Sequence, residues 1–210
     1  MLILASGSQS RKNLLENSNI EFVQISSDFD EFSIKDNNIK NLAFSLSAGK
    51  AKNVLEKIYK FKLNINSDIS SFQILGCDSI FEFQGRAFGK PLNKKEAFER
   101  WEKMSSNYGY LHTGHTLLFC DYVEEEDGTK IKINSEINEV ITSKVLFSEL
   151  TRLEIQKYVD SLEPLSCAGG FALEGRGGKL IEKVEGCFSN IMGLSLPWLR
   201  KELLKKGILA

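Results

Sequence analysis

LILASGSQSRK, Leu2 to Lys12, runs from four apolar residues through Ser6-Gly7-Ser8 into a segment carrying Leu14 and Leu15. A short apolar run that breaks at small residues reads as a buried strand followed by a turn. Ser10 is placed to cap the short helix that follows. Small residues at such a junction let a ligand approach the backbone, and the helix N-terminus offers N–H groups and the positive end of its dipole. Arg11 adds a bidentate phosphate donor. This is the layout of a phosphate cradle without the GxxxxGK[ST] of a P-loop, although serine at such a junction also serves as a plain helix cap.

Outward from this unit, Phe22, Val23 and Ile25 suggest a second strand, and residues 38–59 a helix with Ile39, Leu42, Ala43, Leu46, Val54 and Ile58 at helical spacing. Phe72 to Cys77 reads as a strand ending at Asp78, and Ile80 to Phe83 as another, turning at Gln84-Gly85. Asn93 with Glu96 opens a helix by a capping-box pattern. Long β-type runs at about 110–122 and 130–147 are joined by the acidic turn Glu124 to Gly128. Thr151 and Glu154 cap a helix to about Ser161, Glu163 to Gly178 is a glycine-rich connection, Lys179 to Glu185 is a strand, and Pro197 starts a final helix. Helices interspersed with strands predict an α/β fold. Loop 64–71 and segment 149–165 are the candidate lobe junctions.

With 210 residues, the chain suits one domain with two lobes. Its 42% hydrophobic and 26% charged residues exclude a disordered or collagenous chain. The 27 basic and 28 acidic residues give a charge of −1, which argues against a surface that coats nucleic acid polymers and still permits a local basic pocket for a small anion. Cys77, Cys120, Cys167 and Cys187 form no CxxC pair, so reduced thiols and a cytoplasmic location are expected. No stretch of about 18 apolar residues predicts a membrane span. The opening apolar run is too short for a signal peptide.

Lys50 falls in the middle of the apolar stripe of the 38–59 helix, where an ammonium is costly unless it is paired or faces an anion; snorkelling is the alternative. Lys52 lies on the polar side. Asp78, at the end of an apolar strand, can hold a divalent cation, accept a proton from water, or merely cap a turn. Asp30-Glu31 offers further carboxylate. Lys90 precedes Pro91 and is therefore extended, able to reach over a site. Ala168 to Gly178 holds five of the 16 glycines without a dinucleotide fingerprint, and a buried Glu174 there could read a base edge. His112 and His115, three apart in a strand, face opposite sides and make a poor metal pair.

Taken together, LILASGSQSRKNLL, DFDE at 28–31, GCDSIF and GKP within 76–91, HTGH at 112–115, EPLSCAGGFALEG at 163–175 and EGCFSNIMGLSLPWL at 185–199 resemble the Maf family of nucleoside triphosphate pyrophosphatases. The resemblance spans the chain. It implies a two-lobed, mixed-sheet α/β fold with a central cleft, similar to inosine triphosphatases, as a single domain over 1–210 and often a homodimer. It also implies hydrolysis of a nucleoside triphosphate to the monophosphate and pyrophosphate with a divalent cation, Mg or Mn. By position, Asp78 looks like the proton acceptor or a metal ligand, and Glu31 like a second acid near the metal. Ser6, Ser8, Arg11, Lys50 and Lys90 look like the triphosphate cradle. The chain departs from the family at Ser10, where an arginine is common, and at Ser79, where threonine or glutamine is usual. Glu174 looks more like the methylated-guanosine group. These three positions bear on base specificity and leave a 7-methyl-GTP pyrophosphatase as one alternative; a second, of a different class, is a nucleotide-binding regulator of cell division.

Overall fold

In the computed structural model, which describes residues 1–61, 70–125 and 128–209, β1 (Leu2–Leu4) pairs in parallel with β2 (Phe22–Gln24) on one side and β3 (Ser71–Phe83) on the other. The parallel connections use α1 (Gln9–Asn17) and α2 (Ile39–Phe61), as parallel pairing requires crossovers. β3 also pairs antiparallel with β4 (Arg86–Phe88) across Gln84-Gly85, both at positive φ, the conformation of a tight two-residue hairpin. β5 (Tyr108–Glu125) and β6 (Gly128–Phe147) follow, and β7 (Ile181–Glu185) pairs antiparallel with β6. The sheet is therefore mixed and seven-stranded, in the order β2-β1-β3-β5-β6-β7 with β4 beside β3. The remaining helices are α3 (Lys94–Met104), α4 (Arg152–Asp160), α5 (Phe188–Ile191) and α6 (Leu196–Lys205).

The chain divides into two compact units, Met1–Asp78 with Gly114–Val140, and Ser79–Thr113 with Ile141–Ala210. The first is built on Ile3, Ala5, Ala51, Val54, Ile58, Phe72, Ile74, Leu118 and Cys120. α2 rides closely on its strands: a Cβ at Gly76 would lie 2.3 Å from the Ser47 carbonyl oxygen, and one at Gly114 would lie 2.1 Å from that of Ala43. The second unit has an aromatic core. Phe81, Phe147 and Phe171 meet edge to face, and Trp101 packs on Phe147 and Tyr158 while donating to the Gly170 carbonyl at 2.9 Å.

Several local expectations change. Ser8, not Ser10, caps α1: it has extended backbone and accepts from the Arg11 amide. Its hydroxyl therefore satisfies an otherwise orphaned helix donor, and Ser10 lies inside the helix. β3 is one strand of 13 residues rather than two, so Asp78 sits within a strand and not at its end. No Gly or Pro follows Asp78 to break the strand, and its carboxylate finds a partner on α2 instead of capping a turn. The unit boundaries fall inside β3, β5 and β6, not at 149–165; residues 64–69, and Glu126 and Asp127 of the acidic turn, lie outside the described residues. Asn93 caps α3, but Glu96 bonds the Leu92 amide rather than completing a capping box, whereas Thr151 and Glu154 complete theirs. The glycine-rich connection forms three short 3₁₀ turns, and α5 had no helical pattern long enough to read. Among the described residues, no helix is long and apolar enough to cross a membrane.

Candidate active site

The turn after β1 is tied from several sides. The Ser6 hydroxyl accepts from the Ser8 amide at 3.2 Å and from Arg11 Nη1 at 3.0 Å. Gln24 Nε2 holds the Ser6 carbonyl at 2.8 Å. Arg11 is buried at 8% exposure, so its guanidinium projects charge through poorly screened surroundings beside the α1 N-terminus. The junction is thus a rigid, electropositive cradle. Gln24, which fixes the Ser6 peptide, was not singled out from the sequence; its only signal was a polar residue ending an apolar strand.

Lys50 extends from the buried stripe of α2 and donates to Asp78 Oδ1, while its ammonium lies 2.8 Å from Glu31 Oε1. One cation thus bridges two carboxylates from different elements. This is the pairing that an ammonium on a buried stripe requires. Burial pushes the Asp78 carboxyl up, Lys50 and Arg11 pull it back, and the net value stays above that of an ordinary aspartate. Asp78 therefore has a higher affinity for a proton than an exposed aspartate, a direction that suits a group accepting a proton from water. The neighbouring Cys77 thiol is pushed up to about 11 by burial, which excludes it as a ready nucleophile.

Ser6, Ser8, Arg11, Glu31, Lys50 and Asp78 all belong to the first unit, with Asp78 and Glu31 joined through Lys50 and Arg11 acting on Asp78 electrostatically. Ser10 belongs to the same unit but lies within α1. The remaining three candidates belong to the second unit. Ser79 bonds the Thr113 hydroxyl at 2.9 Å, and Thr113 donates to the Asn190 carbonyl at 3.2 Å. Lys90 is exposed, next to a Gly89 carbonyl held by Arg100 at 2.6 Å. Glu174 is exposed, not buried, because the carboxylate that organises its loop is Glu163. Glu163 accepts from the Tyr158 hydroxyl at 2.8 Å and from the amides of Arg176 and Gly177 at 2.9 Å each. A Cβ at Gly175 would lie 2.5 Å from Glu163 Oε2, and one at Gly177 would lie 2.5 Å from the Tyr158 hydroxyl, so the glycines there serve this loop.

His112 is committed elsewhere, its ring nitrogens 2.8 Å from Glu82 and 2.8 Å from Thr142. Among the described residues, no group of three or more His, Cys, Asp or Glu side chains is placed to hold a metal. Two carboxylates, Asp78 and Glu31, do meet, each on the Lys50 ammonium, so a divalent cation there would have to share or take over that contact. That number suits a hard, well-hydrated cation completing its shell with substrate phosphates and water.

Residues 1–206 match the family described as Maf-like protein. A nucleoside triphosphate pyrophosphatase of Prochlorococcus marinus strain MIT 9312 is 59% identical over 208 residues, 99% of this chain and 100% of the relative. The proteins of the same name from strains MIT 9301 and MIT 9215 are 59% and 58% identical over 206 residues, 98% of this chain and the whole of each relative. The chain belongs to the Maf family.

Proposed function

We propose that this protein is a nucleoside triphosphate pyrophosphatase, hydrolysing the triphosphate to the monophosphate and pyrophosphate. The observation that carries the reading is the Lys50 bridge between Asp78 and Glu31, in the same unit as the buried Arg11 and the Ser8-capped helix. Binding alone would not require a base beside the phosphate-binding cations. The full-length match to relatives bearing that name supports the same reading.

In this reading Ser6, Ser8, Arg11 and Lys50 bind the triphosphate, and Lys90, in the second unit, adds a further cation. Asp78 takes the proton of the attacking water as its oxygen bonds to the α-phosphorus. The bond from that phosphorus to the bridging oxygen breaks, and pyrophosphate leaves with the electron pair. Asp78 and Glu31 are the residues that would hold a divalent cation, Mg or Mn. When bound, that cation offsets phosphate charge and favours deprotonation of water. The protein acts on free nucleotides in the cytoplasm, and the family resemblance suggests a homodimer. Ser10, Ser79 and Glu174 set base preference. The exposed Glu174 carboxylate favours an N–H-rich edge such as methylated guanine and also suits the N3–H of thymine or uracil.

Pyrophosphate release is measured from dTTP, UTP, CTP and 7-methyl-GTP with Mg or Mn, beside Asp78→Asn. Release from one or a few bases, lost in the variant, is expected. Binding without release from any nucleotide with either metal would overturn the enzyme in favour of a regulator.

A further inference from the structure

Glu31 reaches Lys50 from a loop, although a half-exposed acid on a loop has no intrinsic reason to hold one position. The loop is fastened to α2 along one helical stripe, four residues apart, formed by Gly49, Asn53 and Lys57. The Phe29 ring covers Gly49 so closely that a Cβ there would lie 2.5 Å from the ring. Asn53 Oδ1 accepts both the Asp28 amide at 3.0 Å and the Ser27 hydroxyl at 3.1 Å. Ser27 in turn accepts the Phe29 amide at 3.0 Å. Lys57 donates to the Ser26 carbonyl at 2.8 Å and pairs with Asp28. Asp30 then caps the 3₁₀ turn Glu31–Ser33, fixing the direction in which Glu31 leaves the loop.

We propose that Asn53 is a positioning residue for the reaction, clamping the Ser26–Asp30 segment on α2 so that Glu31 meets Lys50 and Asp78. Lys50 lies three residues before Asn53 on the same helix, so the stripe that carries the clamp neighbours the ammonium that Glu31 must reach. Neither Asn53 nor Lys57 needs to touch substrate. Their effect passes through the placement of one carboxylate, and misplacement by a fraction of an ångström is enough to cost rate.

The proposal rests on the pyrophosphatase reading for its kinetic arm but not for its structural one. Asn53→Ala is expected to lower kcat for triphosphate hydrolysis about tenfold. In a Glu31→Gln background the same substitution is expected to change the residual rate by less than about twofold, because nothing remains for the clamp to place. Amide exchange by NMR on the full chain gives the second readout. The Asp28 amide, which donates directly to Asn53, is expected to exchange about tenfold faster in Asn53→Ala. An equal loss of rate in both backgrounds, or unchanged exchange at Asp28, overturns the clamp. If the wild-type chain releases no pyrophosphate, the pyrophosphatase reading falls, and the exchange measurement alone decides whether Asn53 holds the loop.

Discussion

The Lys50 ammonium donates to the Asp78 carboxylate, so an acid in the middle of a buried strand is neutralised by a base rising from the helix packed on it. In the proposed mechanism Asp78→Asn removes the proton acceptor and keeps the shape. Pyrophosphate release is expected to fall by about a thousandfold or more. Stability is not expected to fall with it, because burial penalises the Asp78 charge and Lys50 keeps Glu31 as a partner. The native carboxyl is raised above the ordinary 3.8, so the folded state binds the proton more tightly than the unfolded state and stability drops as pH rises through that window. The variant should therefore gain on the wild type as pH rises from below 3.8 towards neutrality, which urea titrations at several pH values would measure.

Lys50→Met should do the opposite. It leaves Asp78 buried without its principal counter-charge, and breaking such a pair is more costly than never having made it. A loss of about 3 kcal/mol is expected at neutral pH. The loss should shrink on acidification, as Asp78 takes up a proton and no longer needs the ammonium. In the double variant Lys50→Met/Asp78→Asn much of the stability should return, which a denaturation cycle of the four proteins tests. Equal costs of Lys50→Met with and without Asp78 would show that Lys50 contributes by packing alone.

Lys50 was legible because amphipathic helices have a strict period, and a cation on the apolar stripe breaks the pattern visibly. The capping residues Asn93 and Thr151 and the Gln84-Gly85 hairpin were legible for a similar reason, since each is decided within about four residues. The continuity of β3 through Asp78 was not. A carboxylate among apolar residues looks like a strand end unless the lysine 28 positions earlier is known to reach it. The same limit hid Asn53 and Glu163, whose partners include backbone amides brought close only by the fold. Glu174 reads from the sequence as a buried acid facing a base edge, but it is exposed, and the carboxylate enclosed by that loop is Glu163.

Glu163 lies within reach of three donors, and its substitution should loosen the loop that carries Glu174. Burial acts to raise its carboxyl, but the Arg176 and Gly177 amides and the Tyr158 hydroxyl together hold it below 4.5. In Glu163→Gln at least one of those amides would face an amide nitrogen, a loss of about 2 kcal/mol. A depressed native value means the carboxylate stabilises above pH 4.5 and the contribution is lost as pH falls through the native value. The gap between wild type and variant should thus be full at neutral pH and close in acid. If base choice depends on Glu174, the variant should also flatten the preference among nucleotides, read as converging kcat/KM values.

Gly76 tests the link between packing and chemistry. Its missing side chain is what allows α2 to lie on β3, since a Cβ would meet the Ser47 carbonyl oxygen at 2.3 Å and Ala51 Cβ at 2.9 Å. Neither neighbour is the end of a flexible side chain, so Gly76→Ala must push the helix backbone away. A stability loss of about 2 kcal/mol is expected from such overpacking. The displacement falls between Ser47 and Ala51, the turn that carries Lys50, and so acts on the bond from Lys50 to Asp78 two residues along β3. Gly76→Ala should therefore lower kcat well below the fraction that remains folded at the assay temperature. Gly114→Ala, which presses on α2 at the Ala43 carbonyl oxygen about two turns away, should cost comparable stability with a smaller loss of kcat. Equal kcat losses in the two variants at matched stability would mean that the site tolerates movement of the helix and that the Lys50 bridge re-forms.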